Sequence, residues 1–204
     1  MTDAIPAFFD NATIRRKDLA WNDWPAVAAF LQDQAACRLA ALDSPFPYVA
    51  ALSYRYENGA FLMHFSRNGA LAKLLAADPH VTVEVSQAIS LLKAPAAQAT
   101  SMEYRSVVAR CVATTTLLDL EIEAQQYEAL EKYRPERDYL PIDREAATRR
   151  IVACRAEIVA LTAKKRILAD GQYSVTGIDP GYARYAFPPP AALSSLGPEA
   201  FEPR

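Results

Sequence analysis

Residues 47–85 read PYVAALSYRYENGAFLMHFSRNGALAKLLAADPHVTVEV, and the reading of this stretch decides the fold. Two runs of alternating apolar and polar residues flank Asn58-Gly59, a pair that readily supplies the two positive φ angles of a type I′ turn. The pattern predicts a β-hairpin of Pro47–Tyr56 with Phe61–Ser66. With Glu57 opposite Ala60, Tyr56, Tyr54 and Leu52 face Phe61, Met63 and Phe65 on one surface. Ser53 then faces His64, and Ala51 faces Ser66, on the other. One face is a core wall, and the other carries a small set of polar groups.

Arg67-Asn68-Gly69 follows that polar face. Ala70–Ala77 then places Leu71, Leu74 and Leu75 at helical spacing, closed by Asp78-Pro79. A short helix beginning beside Ser66 is expected, with Asn68 as its N-cap. Its free backbone N–H groups, Arg67 beside them and Lys73 one turn on, suit an anion such as a phosphate. The same residues also fit a plain connector helix carrying two solvated cations.

The rest of the 204-residue chain bounds the problem. That length buries a full core without staples, so a single main domain is expected. Cys37, Cys111 and Cys154 are widely spaced and lie in apolar surroundings. They form no CxxC pair and read as buried small hydrophobes of a reducing compartment. A net charge of −2 removes the basic excess of a nucleic-acid-binding chain, so neither DNA nor RNA is expected as a partner. No signal-peptide pattern opens the sequence and no apolar run reaches about 20 residues, which predicts a cytoplasmic protein with no membrane partner.

Residues 1–20 read as an arm carrying Phe8 and Phe9. A helix is expected from about Pro25 to Gln34, capped by Asn22 or Asp23, with Val27, Phe30 and Leu31 on its apolar stripe. Ala36–Leu42, His80–Ser86, Met102–Thr115 and Ile151–Thr162 read as strands, and Gln87–Thr100, which lacks a sustained period, as a loop. Asp119 and Asp143 suit the starts of two helices, the first to about Arg134 with a stripe of Ile122, Gln126, Ala129, Leu130 and Tyr133. Beyond Leu168 the glycines and prolines sustain neither helix nor sheet. Residues 21–168 are therefore expected to form the main domain, with 169–204 as a C-terminal extension. Six alternating strands with near-neighbour connections predict a mainly β fold, a small six-stranded antiparallel barrel with peripheral helices.

Direct catalysis by side chains finds little support. Two histidines cannot build a His-rich metal site, and the chain contains no G-x-S-x-G elbow, P-loop or GxGxxG turn. No carboxylate pair is placed for acid–base work, so any enzymatic reactivity would come from a cofactor. Arg105 and Arg155 read either as ligand clamps or as ion-paired rim residues.

In order and spacing, CRLAAL, PYVAALSYRYENGAFLMHFS, the short helix closing in DPHVTVEV, YRSVVARC and AEIVALTAKKR resemble the pyridoxamine 5′-phosphate oxidase-like FMN-binding split barrels, in particular the nitroimidazole-resistance-type branch. The resemblance covers roughly Trp21 to Arg166. It implies a six-stranded split barrel, a homodimer with FMN at the interface, and an oxidoreductase acting on a small molecule. It also implies cofactor contacts: Ala50, Ala51, Leu52 and Ser53 along the isoalloxazine, with His64 and Ser66 closing one side. Arg67 and Lys73 would hold the phosphate, and Tyr104, Arg105 and Ser106 would approach the ring or ribityl chain. Relatives commonly carry a basic residue just after the helix-starting glycine, where this chain has Ala70 and Leu71, so the phosphate grip falls to Arg67, Lys73 or backbone groups. Ala50-Ala51-Leu52 replaces the Arg/Lys-rich strand of the true pyridoxamine-phosphate oxidases, so vitamin B6 synthesis is not implied. Some relatives bind other flavins, deazaflavin or haem. A non-catalytic flavin- or haem-binding module or an FMN-linked transcriptional regulator is the alternative reading.

Overall fold

Asn58 and Gly59 adopt φ of 47° and 77°, the left-handed pair a type I′ turn requires. A side chain at Gly59 would also place its Cβ 2.9 Å from the Phe8 ring. These features come from a computed structural model, which describes residues 5–94, 97–168 and 183–187. Around the turn, β3 (Arg55–Glu57) pairs with β4 (Ala60–Ser66) in the expected register, Glu57 with Ala60, Tyr56 with Phe61 and Arg55 with Leu62.

The hairpin then splits. Tyr54 leaves the ladder, and β2 (Tyr48–Ser53) pairs along its whole length with β1 (Ala36–Ala41), from Ala36↔Ser53 to Ala41↔Tyr48. The expected pairs of Tyr54, Leu52, Ser53 and Ala51 with β4 are therefore not formed. On its other edge β4 pairs along its whole length with β7 (Ile151–Arg166), from Ala60↔Glu157 to Ser66↔Ile151. The cause lies in the burial of Tyr54, which is 1% exposed. Its hydroxyl donates to the Leu31 carbonyl at 2.6 Å in α1 (Trp24–Asp33), and its ring meets Phe61 at 5.3 Å between centroids. An aromatic buried at this depth is worth about 1.5–3 kcal/mol, and because β2 regains its ladder on β1 the split gives up little backbone pairing.

Two compact units make up the chain. The first contains Met1–Arg15, Trp21–Val85 and Val107–Ala163. The sheet to which it contributes has the strand order β2-β1-β5-β6-β7-β4-β3, where β5 is His80–Lys93 and β6 is Ser101–Thr116, and the chain of both continues into the second unit. The β1–β2, β1–β5, β3–β4 and β4–β7 pairs are all antiparallel. The mainly β, antiparallel fold with peripheral helices is as expected; the strand path ends on β2 and β3 and does not close on itself among the described residues. Helix α1 begins at the Asp23 cap, whose carboxylate accepts from the Ala26 N–H, and buries Val27, Phe30 and Leu31 as its spacing predicts. The N-terminal arm is held in place, since Phe8 and Phe9 pack on Trp24 and the Leu161 N–H donates to the Phe8 carbonyl.

Helix α2 (Ala70–Ala77) starts where expected, but Gly69, not Asn68, is its N-cap, and no side chain caps it. Helix α3 (Asp119–Tyr133) begins one residue early, with Leu118 at the cap position in place of Asp119. Helix α4 (Arg144–Arg150) is capped by Asp143 as predicted.

The second unit comprises Arg16–Ala20, Ser86–Ser106 and Lys164–Arg204. Here the expected Gln87–Thr100 loop is corrected, because β5 continues as strand to Lys93 and only then breaks. Val81, Val83 and Val85 are buried on odd positions, whereas Ser90 and Leu92 are buried on even ones. That change of face inside one strand removes the steady period on which sequence reading depends. The C-terminal extension, expected to lack strand, contributes β8 (Ala183–Ala186) against β5. Phe187 follows, its N–H donating to the Ile89 carbonyl at 2.7 Å, and the other residues of the extension lie outside those described. Glu103, 3% exposed, organises this unit. It accepts from the Ser90 hydroxyl at 2.6 Å, the Leu168 N–H at 2.8 Å and the Arg184 guanidinium at 3.0 Å, which satisfies a buried carboxylate.

Candidate functional site

The split of the hairpin makes a cleft in the first unit, because β2 and β4 diverge after Tyr54. Helix α3 roofs it. At the apex the Tyr133 hydroxyl accepts from the Tyr54 N–H at 2.9 Å and lies 2.7 Å from the Tyr54 carbonyl and 2.6 Å from that of Ala35. Lys132 Nζ donates to the carbonyls of Gln34 at 2.7 Å and Tyr54 at 3.0 Å and stands 4.4 Å above the Tyr54 ring. Burial lowers its pKa to about 8. Two adjacent side chains of one helix thus take over the hydrogen bonds that the strand break leaves open.

Beneath the roof lies a cavity of about 330 Å³. Ser53 at the end of β2 and His64 on β4 form its floor, and Gln126, Ala129, Leu130 and Tyr133 of α3 its roof. Ile142 and Ala147 also line it, and it is open to solvent. The lining is mostly apolar, with the polar side chains of Ser53 and His64 on its floor. The His64 ring and the Ser53 hydroxyl make no hydrogen bond among the described residues, and Gln126 Oε1 is buried without a partner. Burial lowers the His64 pKa, which keeps its imidazole neutral at pH 7.

Ser53 and His64, placed across from each other by the sequence reading, are brought together here even though they are not ladder partners. Alternation along β2 leaves Ala51 and Ser53 exposed, while Ala50 and Leu52 are half-buried and pack against the core. Ser66 ends β4 and is exposed. Arg67 is exposed; its N–H donates to the Arg150 carbonyl at 2.9 Å and its guanidinium reaches the Thr148 carbonyl only at 3.4 Å. Gly69 packs so tightly on the turn that a Cβ would stand 3.2 Å from the Ser66 carbonyl oxygen. The Gly69 N–H donates to that same Ser66 carbonyl at 3.1 Å, and no side chain caps the first turn of α2. Lys73 is exposed on α2. Tyr104, Arg105 and Ser106 are half-buried on β6 within the second unit. Arg155 is ion-paired to Glu157 at 3.2 Å, the rim role left open for it.

The α3 residues of the roof were visible in the sequence as an amphipathic stripe, but nothing there showed what the stripe covers. Ile142 and Ala147 carried no signal. No group of three metal-ligating side chains stands together among the described residues, and no helix among them is long and apolar enough to cross a membrane.

The sequence profile of the pyridoxamine 5′-phosphate oxidase family matches residues 23–165. The chain belongs to this family. The match takes in α1, the split hairpin, the α3–α4 roof and nearly all of β7. No curated protein sequence matches the chain. Among solved structures it is similar to the flavocytochrome Anf3 of Azotobacter vinelandii, at TM-score 0.68 and 19% identity over 88% of both chains. It is similar to the FAD and heme binding protein of Mycobacterium smegmatis at TM-score 0.65 and 14% identity, over 88% of this chain and 91% of that one. A putative 5-nitroimidazole antibiotic resistance protein of Bacteroides thetaiotaomicron matches at TM-score 0.60 and 19% identity, over 72% and 86%. At these identities the likeness is one of fold.

Proposed function

We propose that this family member is an FMN-binding flavoprotein and an oxidoreductase acting on a small molecule, working as a homodimer. The observation that carries the reading is the split of β2 from β4 beside the uncapped start of α2. The residues present fit a flavin phosphate: the first-turn N–H groups have no side-chain cap, and Arg67 has only a long contact to give up. The exposed Ala51 and Ser53 of β2 offer a flat, small-residue surface for a ring system, bordered by His64 and Ser66. When bound, the flavin supplies the redox chemistry that the side chains lack. Arg67 balances the phosphate charge, the backbone of α2 orients it, and the small side chains of β2 permit close approach. That solved proteins of this fold are named for flavins adds support. Because the β2 surface is open on one side, a second copy of the chain is the natural cover.

Purification under mild conditions, an absorbance spectrum, titration with FMN and FAD, and light scattering test the reading together. A flavin spectrum, tighter binding of FMN than of FAD, a mass about twice 22.5 kDa and reduction of the bound flavin by NADH or NADPH are expected. A colourless monomer that takes up neither flavin refutes it. Flavin binding without turnover by any nicotinamide or reductase would make the chain a binding module.

One observation favours haem as a second ligand. The neutral, unpaired imidazole of His64 faces an apolar cavity, as an axial ligand would, and two of the solved structures are named for haem as well as flavin. A Soret band in the purified protein, lost in His64→Ala, is the signature.

A further inference from the structure

The outward face of β2, β1 and the first part of β5 consists of three cross-strand rows. Register sets Ser53 beside Ala36, Ala51 beside Arg38 and Glu84, and Val49 beside Ala40 and Thr82. These residues point outward because the alternate positions, Cys37, Leu39, Val81 and Val83 among them, are buried in the core. All are small and uncharged except the pair in the middle row, where the Arg38 guanidinium meets the Glu84 carboxylate at 3.0 Å. Arg38 is 62% exposed and Glu84 29%. An exposed ion pair adds little to stability, so the fold does not depend on this one.

The flavin reading seats a ring on Ala51 and Ser53. Facing residues of an antiparallel pair have Cβ atoms about 4.5–5.5 Å apart, less than the width of a three-ring system. The strand path ends on β2, so β1 is its neighbour in the sheet, and a ring lying over Ala51 borders Arg38. We propose that Arg38, held in place by Glu84, adjoins the flavin ring and stabilises the negative charge the ring takes up when it accepts electrons. The inference rests on the flavin reading above and deepens it, since it assigns the group that sets how readily that flavin is reduced. Arg38 is the one cation in the three rows, and covering the face with a ring excludes water and strengthens its field. Glu84 fixes the guanidinium and offsets part of its charge, so the two residues act on the ring with opposite signs. A flavin placed this way is the stronger electron acceptor, which suits reduction by a nicotinamide.

Sulfite reads that field. Its sulfur lone pair adds to the ring at N5, one N–S bond forms, nothing leaves, and the ring gains the negative charge and loses its visible absorption band. Sulfite dissociation constants are measured at one pH on the full-length protein saturated with FMN, each variant having first been titrated with FMN by fluorescence. The wild type should be bleached. Arg38→Gln should weaken sulfite at least about fivefold, the effect of a unit charge about 4 Å away even at the dielectric of water. Arg38→Lys should restore most of the affinity, and Glu84→Gln should bind sulfite more tightly than the wild type. A purely structural pair predicts instead that losing either partner acts in the same direction or not at all. Shifts of one sign in Arg38→Gln and Glu84→Gln, no shift in either, or a wild-type flavin that sulfite does not bleach overturn the inference and leave the flavin reading intact. Should Arg38→Gln not hold FMN, Glu84→Gln decides alone: tighter sulfite binding sustains the inference, and unchanged or weaker binding overturns it. A wild type that takes up no FMN refutes the flavin reading, and this inference with it.

Discussion

Tyr133→Phe removes one oxygen atom at the point where the hairpin splits. In the wild type that oxygen accepts from the Tyr54 N–H at 2.9 Å, and its single proton goes to one of two carbonyls, Ala35 at 2.6 Å or Tyr54 at 2.7 Å. Tyr54 is 1% exposed, so water does not readily replace the lost partner. An unsatisfied buried donor costs about 1–3 kcal/mol and the lost hydroxyl donation about 1 more. Lys132 still donates to the Tyr54 carbonyl at 3.0 Å, which limits the damage on the acceptor side. The net loss is about 2–3 kcal/mol, or roughly 4–12 °C in Tm for a chain of this length. Urea denaturation followed by circular dichroism should show the midpoint falling with the slope unchanged. Tyr139→Phe is the control, because that hydroxyl makes no hydrogen bond among the described residues and its loss should stay within about 0.5 kcal/mol. If Tyr133→Phe is as mild as the control, α3 does not hold the strand break, and the claim that its side chains replace the lost ladder bonds fails.

Two further perturbations address the site. Arg67→Ala should weaken FMN by about tenfold to a hundredfold, the worth of one charge-assisted contact, and leave riboflavin binding nearly unchanged. Lys73→Ala should matter less, and the reverse order in a fluorescence titration would move the phosphate about one helical turn along α2. His64 supplies a pH dependence. Burial depresses its pKa, so as pH falls through about 6.5 the unfolded chain takes up a proton that the folded chain refuses. The stability this represents is intact above that pH and is lost progressively below it. Urea midpoints measured at about pH 7.5 and about pH 5 should therefore diverge less in His64→Gln than in the wild type. Equal divergence would mean that His64 is as accessible to protons in the folded protein as in the unfolded one.

Local pattern alone determined a good deal of this molecule. The type I′ turn at Asn58-Gly59, the three-pair register around it, α1 with its Asp23 cap, the short α2, and the apolar stripe of α3 all follow from interactions within a few residues. The family likeness drawn from the order of these signals agrees with the profile match over residues 23–165. Tertiary structure decided the rest. That the hairpin stops at Tyr54 depends on α1 and α3, which lie 23 and 79 residues away and compete for its side chain and backbone. The extension of β5 to Lys93 was hidden because its buried face changes partway along. The meeting of Ser53 and His64 with Gln126 in one cavity, the feature with most bearing on function, joins residues 73 positions apart at the extremes. Periodicity shows which side of a helix is apolar, but only the packed chain shows what that side encloses, because the contacts that enclose it are set by the competition of distant segments for the same buried surface.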